Sequence, residues 1–148
     1  MHVLLISSLL ISLTPVAHLF QESQLPTDCT SCNYYECAEV KLQCGPLGYP
    51  ISFGKRFCHY YNQPELTANF TSKGVESFSC IRNCLIEQTK ILVDSAPNLP
   101  FTPEQCQQLN HTQYLTTHPL CYRICDFCSM AMEDIGAKLY SYLAGMFC

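Results

Sequence analysis

Cysteine content constrains the fold of this chain more than any other feature of its sequence. All twelve cysteines lie between Cys29 and Cys148, and the residues before Cys29 contain none. Disulfides persist in secreted proteins and are reduced in the cytosol. The pattern therefore predicts an exported domain cross-linked by disulfides, with the pairing left open by the sequence. We assign to these bonds Cys29, Cys32, Cys37, Cys44, Cys58, Cys80, Cys84, Cys106, Cys121, Cys125, Cys128 and Cys148.

The first residues have the layout of a signal peptide. Residues 3–13 are mostly apolar, and Thr14 and Pro15 end this stretch. It is too short to span a bilayer, which needs about 20 apolar residues. We expect cleavage after Ala17, so that residues 1–17 are the signal peptide, 18–28 a flexible N-terminal segment and 29–148 one disulfide-rich helical domain. No later apolar run is long enough to be a membrane span, so the predicted protein is secreted and extracellular.

Charge and sequons also bear on the partners of this chain. The formal net charge is −4, and Lys55 and Arg56 are the only adjacent basic residues. Nucleic-acid binding requires clustered basic residues, so we expect no nucleic-acid partner. Asn69 and Asn110 each begin an N-glycosylation tripeptide, which together with the leader predicts a glycoprotein.

Helical patterns dominate the chain after residue 29. Short helices are expected within residues 34–43 and 51–62, separated by a Gly- and Pro-rich loop over residues 44–50. The clearest helix covers residues 73–94, capped by Thr71 or Ser72. Its apolar stripe consists of Val75, Phe78, Ile81, Leu85 and Leu92.

Cysteines are placed along these helices at regular spacing. Cys80 and Cys84 are one turn apart, so both can bond to one neighbouring element but are badly placed to bond each other. The prediction is an all-α, disulfide-rich domain of four to six helices.

The last third of the chain contains two further helix starts. Thr102, Pro103 and Gln105 have the pattern of a capping box, which predicts a short helix to about Leu109. His118-Pro119 predicts a second start. The helix after it would carry three thiols on one face, Cys121, Cys125 and Cys128. A final apolar stripe comprises Ile135, Leu139, Tyr142, Leu143 and Met146.

Metal binding is the alternative to a structural role for some of the cysteines and acidic residues. Cys29-x-x-Cys32 and Cys125-x-x-Cys128 have the ligand spacing of zinc sites, but an oxidising compartment favours disulfides. An acidic cluster of Asp126, Glu133 and Asp134 lacks the alternating acids and central glycine of an EF-hand, so a solvated surface is favoured. We therefore expect no metal and no cofactor.

Catalysis is not indicated by the motifs present. The candidate bases are His59, His111 and His118, and the enzyme class to test is a secreted phospholipase A2. Such enzymes require a His-Asp pair on a helix, and this chain has none. We expect a protein that is not an enzyme. An aromatic group is expected mostly in the core rather than at a binding surface: Tyr49, Phe53, Phe57, Tyr60 and Tyr61.

Two stretches of the sequence resemble the stanniocalcins. The first runs from Tyr49-Pro50-Ile51 through Cys58-His59-Tyr60-Tyr61 to Lys73-Gly74-Val75 and Ser79-Cys80-Ile81, and the second comprises Cys121-Tyr122 and Cys128-Ser129-Met130-Ala131. The resemblance lies in the spacing of cysteines, aromatics and small residues. It implies a secreted, glycosylated helical hormone that forms a disulfide-linked homodimer and influences calcium and phosphate handling. Stanniocalcins carry an odd cysteine for the dimer bridge, whereas this chain has an even number.

These features together favour a secreted, non-catalytic glycoprotein that acts as a hormone-like ligand. Its expected partner is an extracellular protein receptor or channel. A venom or secretory-gland toxin acting on a channel or receptor is the first alternative, because toxins share the disulfide framework. A secreted phospholipase-like enzyme is the less favoured second alternative.

Overall fold

The computed structural model describes residues 28–68 and 70–133. These residues contain no strand, and the predicted all-helical, disulfide-rich fold is confirmed. The leader, Asn69, the last apolar stripe and Cys148 lie outside the described residues. The elements are a 3₁₀ turn Ser31–Asn33, α1 Tyr34–Leu42, a π-helix Pro50–Lys55 followed by α2 Arg56–Tyr60, α3 Pro64–Thr67, α4 Ser72–Asp94, α5 Pro103–Thr112, a π-helix Gln113–Thr117 followed by α6 His118–Ile124, and α7 Phe127–Glu133.

Helix α4 is the central element of the described structure. It begins as predicted, because the Thr71 hydroxyl accepts a hydrogen bond of 3.1 Å from the backbone N–H of Gly74. Its buried face contains Phe78, Ile81 and Leu85 from the predicted stripe. Val75 is instead 39% exposed, so its place in the core was predicted wrongly.

Two of the buried side chains on α4 are polar, those of Ser77 and Thr89. The Ser77 hydroxyl donates to the carbonyl of Cys125 at 2.8 Å. The Thr89 hydroxyl donates to the Leu85 carbonyl at 2.7 Å and accepts from Nε2 of the buried Gln113 at 3.1 Å. Both hydroxyls that α4 brings into the core thus have a partner, as burial requires.

Two disulfides join α4 to α6. Cys80 bonds to Cys125 and Cys84 bonds to Cys121, with Cα–Cα distances of 5.7 Å in both bridges. The earlier cysteine of α4 pairs with the later one at the end of α6, so the two helices run antiparallel. Both thiols of α4 therefore reach one neighbouring element, as their spacing predicts.

The predicted single face of three thiols is wrong. Helix α6 ends at Ile124, Cys125 is its C-cap, and Asp126 has a left-handed φ of 53° before α7 begins. Aspartate tolerates this conformation better than most residues. The turn carries Phe127 into the core, where its ring packs edge-on against Phe78 at 5.7 Å. Cys128 is also disulfide-bonded.

The predicted fresh helix start at His118 is also corrected by the structure. The capping box at Thr102 and Gln105 is present, but the helix continues beyond Leu109 and runs through the π-helix into α6. Thr117 has helical backbone angles and forms no side-chain cap. Pro119 has no N–H to donate, and a wider π turn directly upstream accommodates such a residue without ending the helix.

Among the described cysteines, two further disulfides lie within the N-terminal half and a third joins it to α5. They are Cys29–Cys37, Cys32–Cys58 and Cys44–Cys106. Gly54 packs against α1, where an added Cβ would lie 2.5 Å from ring carbons of Tyr35. Within the described ranges, no helix is long and apolar enough to cross a bilayer.

The disulfides should differ in how much they stabilise the domain. Cys84–Cys121 closes a separation of 37 residues and Cys29–Cys37 one of 8. Loop-closure entropy in the unfolded chain then predicts losses of about 4 and about 2.5 kcal/mol in the free energy of unfolding. We expect the double variant Cys84→Ala/Cys121→Ala to be less stable in denaturant titrations than the matched variant Cys29→Ala/Cys37→Ala. The reverse order would contradict loop-closure entropy as the cause of the difference between these two disulfides.

Candidate functional site

A cluster of aromatic rings surrounds His118 at the start of α6. The His118 ring lies 5.1 Å from Phe53, 5.9 Å from Tyr114 and 6.1 Å from both Tyr49 and Tyr122, centroid to centroid. Phe53 and Tyr114 belong to the two π-helices, Tyr49 directly precedes the first of them, and α6 supplies Tyr122. We refer to these five residues as the histidine cluster.

His118 is buried and uncharged within this cluster. It is 3% exposed, and its Nε2 is hydrogen-bonded to the Tyr49 hydroxyl at 3.1 Å. Desolvation lowers the pKa of His118 to about 4, and burial raises the pKa of Tyr49 well above its ordinary value. Both groups are therefore neutral at pH 7.

The cavity beside the cluster is too small for a substrate. Its volume is about 20 Å³, which is room for about one water molecule. Of the three candidate bases, His118 lines this cavity, whereas His59 and His111 are exposed on α2 and α5. The structure thus does not bring His59 to the cavity that His118 lines.

Asn110 has a structural role that its sequence context does not reveal. Its Oδ1 accepts a hydrogen bond of 2.9 Å from the backbone N–H of Tyr49. That N–H lies at the start of the π-helix Pro50–Lys55, where backbone donors lack helical partners. The contact ties α5 to the histidine cluster. The sequon identified Asn110 as a candidate glycosylation site. No pattern in the sequence predicts its contact with Tyr49, which lies 61 positions away.

A surface groove runs along α2. We define the α2 groove as the concave surface lined by Arg56, Phe57, His59, Tyr60 and Gln63, with a volume of about 460 Å³. The Phe57 ring lies 4.2 Å from Phe53, so the groove is anchored on the histidine cluster. Tyr60 is 41% exposed. Of the five predicted core aromatics, Tyr49 is fully buried and Tyr60 is on the surface.

Charge is distributed unevenly around this groove. Lys55 forms a salt bridge with Glu36 on α1. In the part of the chain that the structure describes, Arg56 is exposed and forms no ion pair, and no carboxylate lines the groove. The groove thus offers a guanidinium beside aromatic surface.

The candidate residues for a metal site are in disulfides, exposed at a turn or outside the described structure. Cys29, Cys32 and Cys125 are in disulfides, so their sulfurs are not thiolates that could bind zinc. Asp126 is exposed at the turn before α7. The Glu133 side chain and Asp134 lie outside the described structure. Within residues 28–68 and 70–133, no three His, Cys, Asp or Glu side chains are grouped to hold a metal ion.

No protein-family model, curated protein or solved structure matches this chain. The resemblance to stanniocalcins therefore stays a prediction. The structure defines the class: a small all-α, disulfide-rich domain.

Burial of neutral His118 should make stability fall in acid. The unfolded chain binds a proton near the ordinary histidine pKa of 6.5, but the folded protein binds it only near a pKa of about 4. Stability is therefore full above pH 6.5 and decreases by about 2–3 kcal/mol as the pH falls toward 4.5. We expect His118→Gln to remove this loss. Denaturant titrations at pH 7.5 and 4.5 measure this loss in the free energy of unfolding. Carboxyl groups contribute equally to wild type and variant, so their contribution cancels when the two losses are subtracted.

His111→Gln is the matched control, because the His111 side chain is exposed. It should keep the wild-type dependence of stability on pH. An equal loss of stability in acid for wild type and His118→Gln would show that His118 is not the group responsible.

Proposed function

We propose that this protein is a secreted, non-catalytic ligand that acts in a hormone-like way on an extracellular protein partner. The observation that carries the proposal is the α2 groove held on a disulfide-bonded scaffold. Disulfides join α1, α2, α4, α5 and α6 to one another or to their neighbouring segments. Such cross-linking is typical of domains that work outside the cell.

Rigidity of the groove supports a binding role. Cys58 on α2 is bonded to Cys32, and the Phe57 ring rests on Phe53. A surface held in place before binding loses less conformational entropy when a partner docks. The residue types also fit, since Tyr, Phe and Arg are enriched at protein interfaces, and Tyr and Arg at their energetic hot spots.

Charge complementarity indicates the chemistry of the partner. Arg56 offers a planar guanidinium that pairs well with a carboxylate. Tyr60 and Phe57 provide apolar surface beside it. The partner that fits is an extracellular protein segment with an Asp or Glu side chain next to an apolar or aromatic one.

Groove variants should lose binding while remaining folded. We expect Arg56→Glu and Tyr60→Ala each to weaken saturable binding of labelled protein to responsive intact cells about tenfold or more, the effect of losing a hot spot. Arg56→Lys should lose part of the affinity because it cannot pair bidentately. Tyr60→Phe should keep most of it, since the ring remains.

Val40→Ala is the off-groove control, because Val40 is exposed on α1. All variants should be secreted with wild-type mobility on non-reducing gels. Unchanged affinity of both groove variants would exclude the α2 groove as the interface. Absence of saturable, displaceable binding across a broad panel of cell types would contradict the ligand function itself.

The non-catalytic part of the proposal has its own test. The cavity beside His118 has a volume of only about 20 Å³, and Cys121 and Cys125 are bonded in disulfides. Purified protein is expected to release no fatty acid from mixed-micelle phospholipid with calcium present. Sustained hydrolysis that co-purifies with the protein would contradict it.

The disulfide-linked homodimer implied by the resemblance also stays a prediction. Mass measurement of the secreted protein with and without reductant distinguishes a monomer from a linked dimer.

A further inference from the structure

Two exposed side chains are connected to Asn110 through short stretches of chain. Leu47 is 85% exposed and Tyr114 is 41% exposed. Leu47 precedes by two positions the Tyr49 N–H that donates to Asn110. Tyr114 follows Asn110 by one turn on the uninterrupted helix from α5 into the π-helix Gln113–Thr117. We call Leu47 and Tyr114 the flanking patch.

The carboxamide of Asn110 is held in a fixed orientation. Its Oδ1 is committed to Tyr49, whereas Nδ2 makes no hydrogen bond to any described residue. Nδ2 is the atom to which an N-linked sugar attaches, and Thr112 completes the sequon. The anchored oxygen therefore fixes the direction in which an attached sugar would leave the helix.

We propose that Asn110 carries an N-linked glycan whose first sugar covers the flanking patch. In the transfer step, the anomeric carbon of the sugar forms a bond to Nδ2, and its bond to a lipid-linked pyrophosphate donor breaks. Nδ2 loses one proton, and the lipid pyrophosphate leaves. This modification occurs as the chain enters the secretory pathway, before Oδ1 engages Tyr49.

Tyr114 is suited to support a sugar ring. Its own ring is held by Phe53 at 5.0 Å, edge to face, and by His118 at 5.9 Å, stacked. Tyr114 is nonetheless 41% exposed. Sugars present C–H groups that pack against the electron-rich face of an aromatic ring. Covering this surface also removes an apolar patch that would otherwise favour association.

Different surfaces of the protein would then serve the glycan and the partner. The glycan occupies the surface of α5 and the following π-helix, which leaves the α2 groove to the partner. Glycosylation of Asn110 requires export of the protein, which the proposed function also requires. It does not depend on which partner binds.

Occupancy is tested on protein secreted by eukaryotic cells. Enzymatic deglycosylation in heavy-oxygen water converts an occupied Asn110 to a labelled Asp, which peptide mass spectrometry detects. We expect labelling at position 110. Its absence from properly secreted protein would overturn the inference.

Coverage of the patch is tested by nitration of tyrosine. Tyr60 is also 41% exposed and serves as the internal reference. Thr112→Ala removes the sequon and leaves the Asn110–Tyr49 bond, and Thr112→Ser keeps both. We expect Tyr114, relative to Tyr60, to be nitrated several-fold faster in Thr112→Ala than in wild type or Thr112→Ser.

Enzymatically deglycosylated wild type provides a second comparison that needs no substitution. The Asp that it leaves at position 110 keeps an oxygen that can accept from Tyr49, and faster nitration of Tyr114 is expected again. Equal nitration of Tyr114 with and without the glycan would overturn the proposed coverage. Cell binding of Thr112→Ala should be unchanged, so failure of this inference is distinguishable from failure of the α2 groove.

Discussion

The paired disulfides between α4 and α6 are the constraint on which the rest of the structure depends. One bridge would leave the helices able to rotate about it, whereas two bridges on successive turns determine their direction, register and rotation together. Cys80–Cys125 and Cys84–Cys121 bring Phe78 and Ile81 against Tyr122 and Phe127 in one core cluster. A domain of this size buries a limited fraction of its surface, so covalent restriction of the unfolded chain adds needed stability.

Placement of α6 in turn determines the histidine cluster and the surfaces beside it. His118 begins α6, and its neighbours Phe53 and Tyr114 reach it from the two π-helices. Within the cluster, the aromatic rings pack closely around a neutral His118. On its outer side, Phe57 supports the α2 groove. Next to it, Asn110 joins α5 to the first π-helix. The proposed binding and glycan surfaces are therefore both in contact with one group of packed rings.

Local sequence signals predicted the elements well and the contacts between them less well. The caps at Thr71 and Thr102 involve neighbours within three residues, so their patterns are readable in the sequence. The turn at Asp126 was missed because Cys121, Cys125 and Cys128 are spaced as in a continuous helix. The continuation of α5 into α6 was missed because His118-Pro119 has the form of a helix start.

Long-range features could not be read from spacing at all. The disulfide pairing, the burial of Gln113 against Thr89 and the contact of Asn110 with Tyr49 depend on how separate helices pack. The prediction of the candidate site suffered most, because the sequence does not distinguish Tyr49 from Tyr60. Tyr49 is buried, whereas Tyr60 is exposed. The sequon at Asn110 was visible, while the role of its Oδ1 was not.

The most direct test is a disulfide map of the protein recovered from culture medium. Trypsin cleaves after Arg82, between Cys80 and Cys84, and after Arg123, between Cys121 and Cys125. Under non-reducing, denaturing conditions each cysteine of the two bridges therefore falls on a separate peptide. The structure predicts linked peptides containing Cys80 with Cys125 and Cys84 with Cys121. Cys80 linked to Cys121 and Cys84 linked to Cys125, or free thiols at these four positions, would contradict the antiparallel cross-linked core.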